Sequence, residues 1–537
     1  MSLSSGWGRD AWRLAWPGLL LASAVLLPFL GKAHTIDDIT FLLQAQHATR
    51  DFWHPTAFEM VSDGERIRLS SQLVTGPLMA WLLIPCVSLG GAEWVAHVLQ
   101  WLLVCATVVC AVRIAERLEL QAPATRAASL FVAACPAVIG MATTSMSDVP
   151  AMAFTALGLE RFLAWVEDRR PVQGVGAALS FACAGLARTH ALVMPLVAAL
   201  AMVRRPGATR GGGIVVAALP LVASWLLAGA VMFVTADPAA AHGTILDAIR
   251  AREPLHRVGM NVAGFGAHWL TTVPLTLPWL WTRARVLVRD VVSWLAFAVA
   301  AALFLLKVEP KLHAPLAVAT ALAFVVLLDV FRDAWQRRDR TQLLLGAWLL
   351  PALTALPYVQ LPCKLLLVSV PAAALLTGRL MDREDGRLPA VVAGGLIAAA
   401  TALGVLIALA DAEFANAGRR AARLDIAPRV RAGEHVHFYG AWGAQWYAMQ
   451  AGAEVAATGD AAPNPGDVLV LCVRTPGTQP GDDVAIQPLG DRHVMSHFGQ
   501  VMSVKEGVGF YSNAYGYLPW TWRNGLIERI VVLRVPS

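Results

Sequence analysis

Apolar runs recur from residue 14 to residue 410, and they constrain the fold of this chain more than any other feature. A helix needs roughly 20 apolar residues to cross the hydrocarbon core of a bilayer, and several runs approach that length. Hydrocarbon offers the backbone no hydrogen-bond partners, so each run is expected to be a helix. The runs predict a polytopic α-helical membrane protein with about thirteen spans. The predicted spans are 14–30, 94–112, 127–145, 147–166, 173–187, 190–203, 213–234, 262–282, 290–307, 314–331, 341–357, 364–380 and 389–410.

The composition indicates the same class of protein. The chain is 57% hydrophobic and 15% charged, whereas soluble domains carry roughly 25% charged residues. Its net charge of +6 comes mostly from Lys and Arg in short loops between the apolar runs. That arrangement is typical of the cytoplasmic loops of membrane proteins. We therefore interpret the excess of basic residues as a signal of membrane topology and expect no nucleic-acid partner. The seven cysteines lack a CxxC pair and mostly lie inside apolar runs, which favours neither a zinc site nor a disulfide framework.

The placement of the basic loops predicts the orientation of the chain. Residues 9–33 are interpreted as an uncleaved first span with a cytoplasmic N-terminus, because their apolar core is long for a signal peptide. The run 73–90 is expected to lie along the membrane face. Counting it as a span would move the arginines of loop 113–126 to the outer side. The outer side then receives three larger pieces, which are 31–93, 235–261 and 411–537.

The last 127 residues differ from the rest in composition. They gain Gly, Pro, Asp and Asn, and they contain short β-like runs at 435–440, 467–474 and 528–535. We therefore expect residues 1–410 to form the transmembrane domain. Residues 411–537 are expected to form a small mixed α/β domain outside the membrane.

An acidic pair follows the first span in the segment KAHTIDDITF, residues 32–41. Thr35 and Asp38 fit a capping box that opens a helix running to about Arg50. That role leaves Asp37 unused, and helical spacing places it on a face with Phe41 that could border a cavity. Helix capping alone also accounts for such a pair, and the pattern leaves both interpretations open.

A second acid, Asp148, opens a later predicted span in the segment SMSDVPAM. It is expected on the same side of the membrane as Asp37. Two carboxylates that converge over apolar helices suit proton abstraction from a hydroxyl acceptor. The alternative is an ordinary helix start, with Ser147 or Asp148 as N-cap and Pro150 at an early helical position.

Basic residues accompany these acids at predicted outer positions. Arg188 and His190 lie at the apex between two short spans, Lys364 lies at the outer end of a later one, and Arg252 and Arg257 lie in the second outer loop. Such donors suit a lipid phosphate held at the membrane surface. For each one, interfacial snorkelling is the alternative, although for Arg188 a functional role is favoured.

The order of these features resembles the GT-C superfamily of integral membrane glycosyltransferases. That order is one span, an acidic pair opening a helix, a surface-lying apolar helix, S-D-V-P opening a later span, a basic apex residue and a late L-P-x-x-L-L-L-x-x-P run. The branch it resembles comprises the bacterial relatives of protein O-mannosyltransferase and of the lipid A aminoarabinose transferase. The resemblance covers residues 14–410. It implies a GT-C fold with surface-lying helices in the first outer loop.

The resemblance also implies roles for individual residues. Asp37 corresponds to the catalytic base, Asp38 to the second acid of the motif, and Asp148 to an active-site support. Lys364 stands where the family often has Arg or His before its late proline run. One departure concerns the Lys-Pro-Pro motif, whose lysine contacts the donor phosphate in many relatives, because residues 74–77 here read Val-Thr-Gly-Pro. The nearby Arg66 and Arg68 are expected to compensate.

The leading functional hypothesis is an inverting glycosyltransferase that moves a sugar from a polyprenyl-phosphate donor to a lipid, glycan or protein acceptor. The resemblance implies the inner membrane of a bacterium, with the C-terminal domain and the active site in the periplasm. Two other classes stay open, which are a transporter or flippase of lipid-linked sugars and a non-catalytic envelope assembly protein. No cofactor is expected. His34, His47 and His54 share the first outer loop with the acids, but their spacing matches no metal signature, so no metal site is predicted.

Overall fold

The computed structural model describes residues 9–71, 75–204, 213–239, 254–307, 313–356, 360–383, 387–480 and 484–537. Within these residues the chain is mostly helical up to residue 431, and a β-sheet follows. The apolar core runs continuously through the helical part and takes in residues from the C-terminal tail. The sheet has smaller apolar clusters of its own.

The first half of the helical part contains the acidic pair and the later acid. Its helices are α1 (Arg9–Leu26), α2 (Asp38–Ala48), α3 (Leu78–Leu82), α4 (Ile84–Ser88), α5 (Glu93–Arg117), α6 (Ala122–Ala134), α7 (Pro136–Ala142), α8 (Asp148–Asp168) and α9 (Pro171–Ala187). α8 packs along α9 and α5, and α1 packs against α6. α6 and α7 meet at a bend of 48°. Pro136 causes the break, because the residue before a proline disfavours the helical conformation and Cys135 is extended.

The second half of the helical part has the same character with more interruptions. Its helices are α10 (Met194–Arg204), α11 (Gly213–Val234), α12 (Pro254–Thr272), α13 (Thr276–Leu287), α14 (Val291–Lys307), α15 (His313–Gln336), α16 (Arg340–Ala347), α17 (Val370–Arg379), α18 (Ala390–Ala421) and α19 (Ala427–Arg431). Short 3₁₀ segments occupy Thr189–Val193, Leu350–Ala355 and Cys363–Ser369. The first and third of these carry His190 and Lys364.

The predicted number of thirteen spans is not confirmed. Among the described residues, five helices are long and apolar enough to cross a membrane, or six if α6 and α7 form one span. The five are residues 11–29, 93–117, 148–168, 214–234 and 390–431. Most other predicted spans correspond to helices that are shorter or broken. The run 341–357, for example, divides into α16 and a 3₁₀ segment.

The run 73–90, which was expected to lie along the membrane face, contains two helices of five residues each, α3 and α4. Neither is long enough to cross a bilayer. Pro85 lies in the first turn of α4, where its missing N–H is tolerated, and the chain bends between the two helices. Both pack on α2 in residues 31–93, which are called the first outer loop here after their predicted position. Residues 72–74 of this run lie outside the described residues.

The C-terminal part contains a five-stranded mixed sheet. Its strands are β3 (Val436–Tyr439), β4 (Glu454–Val455), β5 (Val468–Cys472), β6 (Gln487–Met495) and β9 (Leu526–Arg534), in the spatial order β4-β3-β5-β9-β6. β3 is parallel to β4 and β5, and helix α20 (Trp442–Gln450) provides the crossover from β3 to β4. Two small hairpins complete the strands, which are β1 (Glu59–Ser62) with β2 (Glu65–Arg68) and β7 (Met502–Ser503) with β8 (Val508–Gly509).

The tail packs into the helical part as well as into its own sheet. The domain boundary predicted at residue 410 lies inside α18, which continues to Ala421. Phe510 and Tyr511 are fully buried, and the Tyr511 hydroxyl donates to Asp411 Oδ2 at 2.5 Å. Asn513 Nδ2 donates to Asn261 Oδ1 at 3.0 Å. The aromatic segment at 509–522 therefore supplies core packing at these positions.

A buried ion pair joins the first outer loop to α18. Lys32 Nζ lies 2.5 Å from Asp411 Oδ2 and also donates to the Thr143 carbonyl at 2.7 Å. The side chains of Lys32 and Asp411 are 1% and 0% exposed. Removing one partner from such a pair leaves an uncompensated buried charge.

We expect Lys32→Met to lower the free energy of unfolding by about 3–5 kcal/mol, because Asp411 would lose its counter-charge in a dry site. Thermal unfolding of the purified protein in detergent measures the change. Lys505 is exposed, and Lys505→Met serves as the matched control with little expected effect. Equal melting temperatures for the two variants would contradict the role assigned to this pair.

Candidate functional site

A cavity of about 240 Å³ lies between the first outer loop and the ends of the later helices. Its polar lining combines one carboxylate, two cations and several neutral groups. The polar lining residues are Asp37, Thr40, Ser62, Thr75, Arg188, Gln360 and Lys364, and the apolar ones are Phe41, Met60, Ile67, Leu69, Pro362 and Leu365. Three predicted site residues from distant parts of the sequence, Asp37, Arg188 and Lys364, therefore border one space.

Asp37 and Lys364 are in direct contact inside this cavity. Lys364 Nζ donates to Asp37 Oδ2 at 2.7 Å. The lysine side chain is 7% exposed and the aspartate side chain 41% exposed, so the carboxylate faces the cavity. Burial by itself would raise the pKa of Asp37, but Lys364 and then Arg188 outweigh it and hold the pKa below its ordinary value. Asp37 is therefore an ionised acceptor at neutral pH.

The backbone before Asp37 is strained. Ile36 has φ +37°, a left-handed conformation that is a rare outlier for a β-branched residue. Such a conformation costs about 1–3 kcal/mol and persists only where the surroundings enforce it. The buried Ile36 side chain and the Thr35 N–H bond to Asp38 do so here. This turn directs Asp37 toward the cavity and Asp38 into the protein.

Asp38 holds the loop together and does not line the cavity. Its carboxylate is fully buried and accepts from the backbone N–H groups of Thr35 at 2.8 Å and Ser145 at 2.7 Å. Burial raises the pKa of Asp38 to about 7, and Lys32 opposes that rise. The bond to Thr35 is half of the predicted capping box. The other half is absent, because the Thr35 hydroxyl donates to Asp411 at 3.4 Å. Helix α2 begins at Asp38 with Asp37 at the N-cap position, so Thr35 is not the N-cap that the sequence predicts, and the helix ends at Ala48, close to the predicted end.

Asp148 contacts Arg188 rather than the cavity. Arg188 Nη2 donates to Asp148 Oδ2 at 2.7 Å, and the aspartate side chain is fully buried. Asp148 begins α8 and Arg188 follows α9, and these two helices pack along each other. Asp148 therefore does not line the cavity that Asp37 faces, and its predicted catalytic role stays a prediction. Asp148 lies behind Arg188 and orients it toward the cavity.

Three other predicted phosphate-binding residues, Arg66, Arg68 and His190, do not line the cavity. Arg66 pairs with Asp460 at 3.0 Å, and Arg68 pairs with Asp237 at 2.5 Å. Their expected role in place of the lysine of the Lys-Pro-Pro motif stays a prediction. His190 follows Arg188 closely but does not line the cavity.

Two further predicted residues cannot be placed at the site. Arg252 lies outside the described residues, and so does the side chain of Arg257. Their predicted contacts to a lipid phosphate stay predictions.

The three histidines of the first outer loop have separate surroundings. His34 Nε2 is 3.0 Å from the Gly91 carbonyl oxygen, the His47 ring packs on Phe58, and His54 Nδ1 is 3.0 Å from Asp51 Oδ2. Within the described residues, these three form no group with metal-ligand spacing.

Sequence reasoning missed the residues that position the loop. Lys32 and Asp411 are assigned no role in the sequence analysis. Asp411 carried a usable signal, because it is an acid just beyond the last predicted span, as Asp148 is at the start of another. Tyr511 lies 100 residues beyond its partner Asp411 and carried no such signal.

We expect Asp38→Asn to lower the free energy of unfolding by about 1–3 kcal/mol. Asparagine has one side-chain oxygen, so the N–H of Thr35 or of Ser145 would lose its buried acceptor. Thermal unfolding in detergent measures the change, with Asp51→Asn on the same loop as the control. An Asp38→Asn protein as stable as the wild type would show that these two bonds do not hold the loop.

No family model matches the chain, and no curated protein is similar to it. Solved structures are similar at low identity. ArnT from Cupriavidus metallidurans bound to undecaprenyl phosphate matches with 14% identity and a TM-score of 0.44, over 98% of this chain and 99% of that one. The archaeal oligosaccharyltransferase AglB from Archaeoglobus fulgidus, solved with an inhibitory peptide and a dolichol-phosphate, matches with 10% identity and a TM-score of 0.44, over 87% and 70%.

The arabinofuranosyltransferase AftD from Mycobacteria matches with 13% identity and a TM-score of 0.40, over 100% of this chain and 42% of that one. Because these TM-scores are low, the function proposed below rests on the residues of this chain.

Proposed function

We propose that this protein is an inverting glycosyltransferase that uses a polyprenyl-phosphate-linked sugar as donor. The single observation that carries the proposal is the cavity in which one ionised carboxylate, Asp37, faces two cations, Arg188 and Lys364. Transfer from a lipid phosphate to a hydroxyl group needs an acceptor for a proton and donors for the departing phosphate. The cavity supplies both at one place.

Arg188 and Lys364 are the proposed phosphate ligands. Guanidinium and ammonium groups form short, charge-assisted hydrogen bonds to phosphate oxygens. Arg188 is held by the buried Asp148, so its position is fixed before a donor arrives. The one hydrogen bond described for the Lys364 ammonium is the bond to Asp37. The ammonium can therefore turn to a phosphate without breaking any other described hydrogen bond.

Asp37 is the proposed base. The acceptor oxygen attacks the anomeric carbon, the bond from that carbon to the phosphate oxygen breaks, and its electron pair leaves with the phosphate. The acceptor proton passes to Asp37, and a single displacement inverts the anomeric configuration. In the free protein Lys364 holds the pKa of Asp37 low. When Lys364 turns to the donor phosphate, that pKa rises and Asp37 becomes a stronger base.

The proposed setting is the inner membrane of a bacterium, with the cavity on the periplasmic side and the N-terminus in the cytoplasm. The positive-inside distribution of the basic loops supports this orientation. The acceptor is a hydroxyl group of a lipid, a glycan or a protein. Thr40, Ser62 and Gln360 line the cavity beside Asp37 and can donate or accept hydrogen bonds from such a group.

We expect Asp37→Asn to reduce the transfer rate about 10²–10⁴-fold while the protein still folds in the membrane, because the variant loses its base. The measurement is release of free polyprenyl phosphate from a lipid-linked sugar by protein reconstituted in liposomes. Asp51→Asn is the matched control, since Asp51 lies on the same loop outside the cavity. Movement of intact lipid-linked sugar across the bilayer without release of polyprenyl phosphate would instead identify a transporter.

We expect Lys364→Gln to weaken donor binding and to move the acid limb of the kcat/KM profile to higher pH. In the wild type, Lys364 keeps Asp37 ionised below its ordinary pKa near 3.8. Without the lysine, burial is the larger remaining effect and raises that pKa, so Asp37 becomes protonated, and inactive as a base, at a higher pH.

The profile of kcat/KM reports the free enzyme, in which Asp37 and Lys364 are paired. Arg66→Gln is the control, because Arg66 pairs with Asp460 away from the cavity. An acid limb at the same pH in the wild type and in Lys364→Gln would remove this ion pair from the mechanism.

A further inference from the structure

The C-terminal sheet holds a cluster of imidazole and carboxylate groups at the edge formed by β3 and β4. His435, His437 and Glu454 each offer one ligand atom, and these three atoms all lie within 4.8 Å of one another. Among the described residues, this is the one group of three or more such side chains with metal-ligand spacing. Sequence reasoning did not single it out, although the signal was a His-x-His pair on a predicted strand.

The strand register brings these residues together. His435 directly precedes β3 and His437 lies two residues further on, so both are expected on one face of the strand, while Val436 and Phe438 are buried on the other face. His437 is paired with Glu454 on the parallel strand β4. Asp467 directly precedes β5, whose first residue Val468 donates its N–H to the His435 carbonyl at 2.9 Å.

Asp467 orients both histidines. Its Oδ2 is 3.0 Å from His437 Nε2, and its Oδ1 is 3.4 Å from His435 Nδ1. The carboxylate is buried and also accepts the N–H of Asn464 at 2.8 Å, which fixes its position. Histidines that bind a metal commonly give their other ring nitrogen to a carboxylate in this way.

The cluster opens onto a cavity of about 580 Å³, so an ion and its water can enter. His435 Nε2 and Glu454 Oε2 are already 3.3 Å apart, which is about the separation of two ligands on one tetrahedral ion with bonds near 2.1 Å. Their side chains are 54% and 55% exposed and can rotate to close the remaining distances. His437 is nearly buried and gives the site a fixed member.

We propose that His435, His437 and Glu454 bind one divalent transition-metal ion of the Zn²⁺ class, with Asp467 as the residue that positions the histidines. Two imidazoles and one carboxylate favour Zn²⁺ over Mg²⁺, which prefers oxygen ligands throughout. Three protein ligands leave a coordination position for water or for an outside group. The proposal is independent of the glycosyltransferase activity, because none of these residues lines the cavity of Asp37.

The proposed metal site lies beside hairpin β1–β2. The cavity onto which the site opens is also lined by Arg66 of this hairpin and by its partner Asp460. The Thr458 N–H donates to the Gly64 carbonyl at 2.7 Å, again between the C-terminal part and this hairpin. Met60, Ser62 and Ile67 of the hairpin line the cavity of Asp37. A bound ion would therefore stiffen the contact between the sheet and the loop beside the candidate active site.

The test uses the full-length chain without an affinity tag, purified in detergent, stripped with EDTA and titrated with ZnSO₄. We expect about one Zn²⁺ per chain by calorimetry and elemental analysis, and no comparable binding of MgSO₄. The double variant His435→Ala/His437→Ala should lose this ion. The control His493→Ala/His497→Ala removes two exposed histidines from the same part of the chain and should keep it.

Three further measurements distinguish a metal site from an effect of the substitutions on folding. Asp467→Asn should weaken Zn²⁺ binding about 10–100-fold without changing the stoichiometry. Glu454→Gln alters only an exposed side chain, so it tests the site even if the histidine double variant fails to fold. Co²⁺ in place of Zn²⁺ should give a visible absorption band that the Glu454→Gln protein changes. The same stoichiometry and affinity in wild type and all variants, or no bound ion in the wild type, would overturn the proposal.

Discussion

The buried ion pair between Lys32 and Asp411 is the contact on which the candidate site depends. A buried ammonium and a buried carboxylate stabilise each other by pairing. Lys32 also donates to the Thr143 carbonyl, and Asp411 also accepts from the Tyr511 hydroxyl. The pair thereby joins the end of the first span, the long helix α18 and the C-terminal tail. The loop that begins at Lys32 is fixed at its base, and this allows the strained Ile36 to persist and Asp37 to face the cavity.

The two cations that line the cavity, Arg188 and Lys364, differ in how firmly their ion pairs hold them. Asp148 and Arg188 form a pair whose aspartate is fully buried, so the guanidinium is held in place. Asp37 and Lys364 form a pair whose aspartate is partly exposed, so a competing anion can reach the lysine. A fixed cation next to an exchangeable one suits a site that must bind a phosphate and at the same time release a base. In such a site, the arrival of the anion itself changes the protonation behaviour of the carboxylate.

Patterns local in sequence were predictable, and contacts over long separations were not. The strands β3, β5 and β9 lie within or overlap the predicted β-like runs. Asp37, Arg188 and Lys364 are recognisable in the sequence because they are charged residues near the ends of predicted spans, where burying a charge costs free energy. The count of spans is not confirmed among the described residues, because hydropathy registers apolar runs but not the breaks at residues such as Pro136. The partners of Asp38 and Asp148 could not be predicted, because no local pattern reveals that these acids contact Ser145 and Arg188.

The contact between Tyr511 and Asp411 bears on how the protein is made. A ribosome that has just completed residue 93 must add more than 400 further residues before it reaches Tyr511, the partner of Asp411. Lys32 and Asp411 thus meet in their final surroundings only after Tyr511 has been synthesised. Until then the acidic loop stays unassembled. Biogenesis itself therefore delays the appearance of a competent site until the residues up to Tyr511 have been made.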